Sequence, residues 1–108
     1  MATLIAQFFF DLAALIAYKT GMEFDWHDAK HDRNIRDRGF GFDFAALIFE
    51  GRVLTQVDDR QDYGEVRIKA IGEAEGIVLA VIFTDRDDVR WIISARKANR
   101  KECVLWQE

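Results

Sequence analysis

Hydrophobic positions follow two rhythms along the chain, mostly helical before Gly51 and two-residue after it. In "TLIAQFFFDLAALIAYKTG" the apolar residues Ile5, Phe8, Phe9, Leu12, Leu15 and Ile16 recur at helical spacing, which predicts an amphipathic helix with one wide apolar face. "MEFDW" then alternates Met22, Phe24 and Trp26 against Glu23 and Asp25, the pattern of a short strand. "HDAKHDRNIRDRG" has few apolar residues. With Asp28 as an N-cap and Gly39 as a stop, it predicts a helix lying on the surface. "FDFAALIFEG" predicts a buried helix ended by Gly51, and "RVLTQVD" begins a sheet.

The second half alternates throughout. "EVRIKAIG", "IVLAVIFT" and "VRWIISAR" are separated by the hairpin-sized segments "EAEG" and "DRDD", so they predict an antiparallel meander. The middle strand is apolar on both faces and belongs at the centre. Asn99 stands three residues before Glu102, a capping-box spacing that predicts a short closing helix through Trp106. The predicted fold class is α+β: two layers, an antiparallel sheet with helices packed on one face, and an N-terminal amphipathic helix. The expected division is a helical extension over residues 1–21 and a compact domain over residues 22–108.

Composition narrows this further. A chain of 108 residues with half of them hydrophobic, about a third charged and no proline suits one globular domain with a single modest core. Cys103 is the only cysteine, so no internal disulfide forms and a cytoplasmic location is the expectation. It reads as a buried small residue. The apolar N-terminal run is interrupted by Gln7 and Asp11 and has no basic flank, so neither a membrane span nor a signal peptide is expected. Its apolar stripe predicts docking on its own domain or self-association with a second copy through residues 1–21.

Charge changes the picture at one place. The chain carries a net formal charge of −4, yet "RWIISARKANRKE" has five cations and no carboxylate between Arg90 and Lys101. Period two puts Arg90, Ile92, Ser94 and Arg96 on one strand face, and Glu65, Arg67, Lys69 and Ile71 on one face of the strand two places earlier. If the faces coincide, Glu65, Arg67, Lys69, Arg90 and Arg96 gather on an open surface, extended by Lys97, Arg100 and Lys101. That surface suits a polyanion, because arginine grips phosphate through paired hydrogen bonds. The plainer reading is a solvated sheet face on which Glu65 pairs with a neighbouring Arg.

"DYGEVRIKAIG" followed at this separation by "RWIISARKANRKE", with "FDW" upstream, resembles the BrnT toxins, the ribonuclease half of BrnT/BrnA toxin–antitoxin modules. The resemblance runs from Met22 to Glu108. In this chain Asp37-Arg38 stands where the family pattern has Lys-His, Gly41 where it has a capping Ser, Gly51-Arg52 where it has Asp-Pro, and Trp106 where it has Tyr. The resemblance implies a RelE-like fold, an RNA substrate, growth arrest, and a cognate BrnA-like antitoxin that inhibits the toxin. That antitoxin is expected to carry the operator-DNA contact, since an acidic chain has little nonspecific affinity for duplex phosphate.

Metal-free RNA cleavage needs a base for the 2′-OH and cations for the phosphorane. Glu65 is the candidate base, Arg67, Arg90 and Arg96 the candidate charge stabilisers, and Lys69, Lys97, Arg100 and Lys101 the candidate RNA contacts. The competing reading is a non-catalytic subunit whose cations grip an acidic partner segment. His27 and His31 are four residues apart, but neither a HExxH glutamate nor a third ligand accompanies them, so no metal or other cofactor is expected.

Overall fold

The computed structural model describes residues 11–108. The stripe residues Ile5, Phe8 and Phe9 therefore lie outside the described residues. In chain order the elements are α1 (Leu12–Thr20), β1 (Glu23–Trp26), α2 (Asp28–Arg38), α3 (Phe42–Ala45), a 3-10 helix (Ala46–Glu50), β2 (Leu54–Val57), β3 (Ile68–Ala74), β4 (Ile77–Arg86), β5 (Val89–Lys97) and α4 (Arg100–Gln107). The class is α+β, as the pattern predicts. No helix among the described residues is long and apolar enough to cross a membrane.

The five strands form one sheet in the order β1-β5-β4-β3-β2. β2 to β5 pair antiparallel, and β1 joins the edge of β5 in parallel, so the sheet as a whole is mixed. The meander follows from its turns. Glu75 and Gly76 both have positive φ, as do Asp87 and Asp88; this is the backbone that two-residue hairpins of the right twist demand, and Gly and Asp tolerate it. β4 takes the centre, with Leu79, Val81 and Phe83 buried on one side and Ala80 on the other.

One face of the sheet carries the main core. Ala70, Ala74, Leu79, Val81, Phe83, Ile92 and Ala95 pack there against Ile16, Phe42, Ala45, Ala46 and Ile48. Gly72 lets the 3-10 helix approach closely, since a β-carbon there would meet Ile48 Cβ at 2.8 Å. α1 enters this core through Ile16, which is fully buried, with Leu12 packed beside it. Leu15, expected on the same apolar stripe, is half exposed. α4 turns back towards the second face, beyond the one-sided packing the pattern suggests, because its Glu102 is bonded to Lys69 and Arg96 there.

Two local features depart from regular geometry. Asp28 opens α2 as its first residue, one place inside the expected cap, which falls at His27. Gly41 is the N-cap of α3 and offers no side chain; His31 Nδ1 instead accepts the Phe42 N–H at 3.0 Å. The His31 ring is stacked on Trp26 at 5.3 Å, and it occupies the space a β-carbon on Gly41 would need.

The second feature is a β-bulge in β5. Ile82 faces Ser94 while Phe83 faces Ile92, which leaves Ile93 as the extra residue. A bulge reverses the in–out phase of everything beyond it. Ile92 and Ala95, three apart, are thus both buried in the core, which strict alternation forbids.

Candidate functional site

On the face away from the main core the register aligns Gln56, Lys69, Ile82 and Ser94 in one row across β2, β3, β4 and β5. These residues floor a hollow of about 270 Å³ walled by Asp58, Asp59 and Arg60 from the loop after β2, by Arg96, and by Arg38 from the end of α2. Of its four cations, only Lys69 and Arg96 belong to the predicted set.

Glu102 organises the hollow's rim. Its carboxylate accepts from Arg96 Nη1 and Nη2 at 2.7 and 3.0 Å, from Lys69 Nζ at 2.8 Å, and from the Asn99 backbone N–H at 2.8 Å. The Asn99 side chain accepts the Glu102 N–H at 2.8 Å, completing the capping box that the spacing predicts. The Arg96 hydrogen bonds above all hold the Glu102 carboxyl down at about 2, with Lys69 and the Asn99 N–H helping and burial opposing them. The same bonds raise Arg96 above the ordinary guanidinium range. Lys69 and Arg96 thus share a single carboxylate.

Arg38 has no carboxylate at all among the described residues. Its Nη1 donates to Asn34 Oδ1 and to the Ala95 carbonyl, both at 3.0 Å. Asn34 is itself buried and fixed by donating to the Phe40 carbonyl at 2.9 Å. The guanidinium is therefore clamped by neutral acceptors, which leave its charge uncompensated. On the opposite wall Asp58 is taken up by Arg60 through bonds of 2.7 and 2.9 Å, and that pairing lowers its pKa.

The remaining predicted residues are distributed as follows. Arg67 lies on the open face, its guanidinium 3.9 Å over the Tyr63 ring and its Nε 3.6 Å from Glu65. That Nε is buried and has no hydrogen-bond acceptor. Glu65 sits at the far end of the face, where Arg86 donates three bonds of 2.9 to 3.2 Å to its oxygens. The expectation that Arg90 shares a face with Arg96 is corrected. Arg90 lies over Phe83 and Phe49 at 4.1 and 4.8 Å on the core side and pairs with Asp85, because the bulge at Ile93 falls between the two arginines. Lys97, Arg100 and Lys101 are exposed at the end of β5 and the start of α4, outside the hollow's lining.

Sequence reasoning missed Arg38 as a site residue and Glu102 as more than a cap. Arg38 had a signal, since it occupies the second position of the Lys-His pair in the family pattern. The His27/His31 pair goes elsewhere: His31 Nδ1 is occupied by the Phe42 N–H, and among the described residues no three His, Cys, Asp or Glu side chains converge.

The half-open hollow thus sets four cations, Arg38, Arg60, Lys69 and Arg96, against Asp58, Asp59 and the Glu102 carboxylate at its rim, a surplus of one positive charge of the kind that can hold an oxyanion. The family model for the ribonuclease toxin, BrnT, of type II toxin–antitoxin systems matches residues 26–102. The chain belongs to this family of ribonuclease toxins. Among curated proteins none matches the chain.

Proposed function

We propose that the chain cleaves single-stranded RNA without a metal ion, in the hollow between Arg38, Lys69 and Arg96, and that its antitoxin silences it by filling that hollow. The observation that carries this reading is the arrangement of cations at the hollow: Lys69 and Arg96 share Glu102, Arg60 is paired with Asp58, and Arg38 is held by neutral acceptors, with the exposed Asp59 as the one other carboxylate in the lining. In the step envisaged, the 2′-oxygen attacks the adjacent phosphorus as its proton passes to solvent, and the P–O5′ bond breaks as the leaving 5′-oxygen takes a proton from solvent. The products are a 2′,3′-cyclic phosphate and a 5′-hydroxyl.

The extra negative charge of the phosphorane falls on its equatorial oxygens, within reach of the free Nη2 and Nε of Arg38 and the spare protons of Lys69. Fixed charges of this kind are worth about 10² to 10³ in rate. Arg67 extends the cationic floor, and Ser94 supplies a neutral hydroxyl in its middle. Glu65 stands outside the hollow in the grip of Arg86, so charge stabilisation carries more of this reading than base catalysis. Lys97, Arg100 and Lys101 serve as peripheral RNA contacts.

The partner implied is a BrnA-like antitoxin with an acidic segment complementary to the hollow and a DNA-binding part of its own. Purified protein should shorten total RNA in the presence of a chelator, and induced expression in a bacterium should arrest growth. Intact RNA and continued growth would sink the proposal. Antitoxin-free protein separates the rival reading: a ribonuclease cleaves RNA and loses that cleavage in an Arg67→Ala/Arg96→Ala variant, whereas a subunit that only binds its partner leaves RNA intact in both forms.

A further inference from the structure

A second hollow of about 260 Å³ adjoins the first, and the two share Arg38 and Ser94. Its outer wall is the face of α2 that carries Lys30, Arg33, Asn34, Asp37 and Arg38. Those positions recur at three- and four-residue spacing and so line up on one side of a helix. Lys30 to Arg38 spans ~12 Å along the helix axis. Lys30 and Arg33 are exposed, and neither they nor Arg38 forms an ion pair with any described residue. Asp37 is the lone opposing charge in the lining. In a chain whose net charge is −4, such a run of uncompensated cations leading into the proposed cleavage site is a local reversal of sign.

Resting on the ribonuclease reading above, we infer that the α2 groove is the path of the RNA strand as it enters the site, with Lys30 and Arg33 gripping consecutive backbone phosphates. Arg38 stands at the junction, where the strand passes over Ser94. The ligand is single-stranded polyribonucleotide recognised by its backbone. Phe42, the one aromatic lining either hollow among the described residues, is buried. Base stacking of the kind that single-strand binders use therefore has no platform here, and the path tolerates any sequence. The bulge at Ile93 builds this junction by turning Ser94 towards both hollows.

The test is a Lys30→Ala/Arg33→Ala variant of the full chain, whose altered side chains are exposed. Its affinity for a non-cleavable 2′-O-methyl poly(U) strand should fall about tenfold at low salt, and the salt dependence should flatten by about 1.4 in log–log slope, as loss of two phosphate contacts on a single strand requires. Cleavage of poly(U) should show a raised KM, while a uridine dinucleotide, too short to reach α2, is cleaved at the wild-type rate. Unchanged affinity and salt slope in the variant would overturn the path. So would a variant that loses its antitoxin but binds poly(U) normally, since the groove would then belong to the protein partner. A wild-type chain that binds the strand through Lys30 and Arg33 yet never cleaves RNA would leave the path standing and remove the ribonuclease reading. Failure of the wild type to bind poly(U) at all would remove both.

Discussion

The two ends of the open sheet face are built from the same residue types and end in opposite electrostatic states. At the far end, Arg86 is matched to Glu65 on the open face, and Arg90 to Asp85 on the core side behind it, through paired hydrogen bonds, and each guanidinium also rests on an aromatic ring. Nothing is left over except Arg67, wedged between Tyr63 and Glu65. At the near end, two cations draw on Glu102 and a third draws only on amide oxygens. The number of cations is thus less telling than how each one is held. A matched arginine is scaffold, and an unmatched one held rigid by neutral acceptors is available to a ligand.

Replacing Arg96 by Ala breaks this contrast most severely. It takes a cation from the hollow and leaves the buried Glu102 with Lys69 and the Asn99 N–H. RNA cleavage by the purified variant should fall about 10² to 10³-fold, with a stability loss of about 1 to 2 kcal/mol in denaturant unfolding, since Arg96 is 40% exposed. An Arg96→Ala protein that cleaves at the wild-type rate would assign the chemistry elsewhere.

Glu102→Gln sharpens the comparison from the other side, by removing the shared carboxylate. Since the folded carboxyl titrates at about 2 instead of near its ordinary value of 4.5, its charge stabilises the fold by on the order of 3 kcal/mol. The folded pKa is the depressed one. This contribution is therefore present above about pH 4.5 and is lost as pH falls through about 2. Acid unfolding curves of the wild type should slope across that window, and those of Glu102→Gln should slope less.

The smallest effect belongs to the far end. Arg86→Ala removes a half-exposed partner from Glu65, a change worth at most about 1 kcal/mol of stability. Cleavage should remain within about fivefold of wild type. A large loss of cleavage on Arg86→Ala would promote the Glu65 end from scaffold to reaction centre.

Much of the fold is readable in advance because its determinants are local. Turn residues at Glu75-Gly76 and Asp87-Asp88 and the two-sided apolar run of β4 lead directly to the meander and its centre, and Asn99 with Glu102 leads to the closing helix. The bulge is not local in this sense. "WIIS" places two isoleucines side by side, so either phase of alternation keeps one of them inside, and no glycine or proline marks the break. The fate of Arg90 goes with it. Parallel pairing of β1 is hidden for a related reason, since a four-residue strand takes its partner from contacts far along the chain. The position of Arg38 is marked by the family pattern, but its contact is hidden: it sits on a helix with almost no apolar residues and acts on β5 across a separation of 57 residues.

The cap of α3 makes two distant positions a single unit of inheritance. His31 accepts the Phe42 N–H, the first of α3, which a side chain at the cap position does not serve, and Gly41 must stay bare because the imidazole fills its β-carbon's space. Restoring a serine at 41 alone crowds the ring, and shrinking His31 alone leaves the helix uncapped, so either single step costs about 1 kcal/mol or more. Both changes together relieve the crowding and let the serine accept from the second or third N–H of α3 instead. Any lineage moving between the two solutions has to cross a less stable intermediate, and a double-mutant cycle on His31 and Gly41 should therefore show strong favourable coupling.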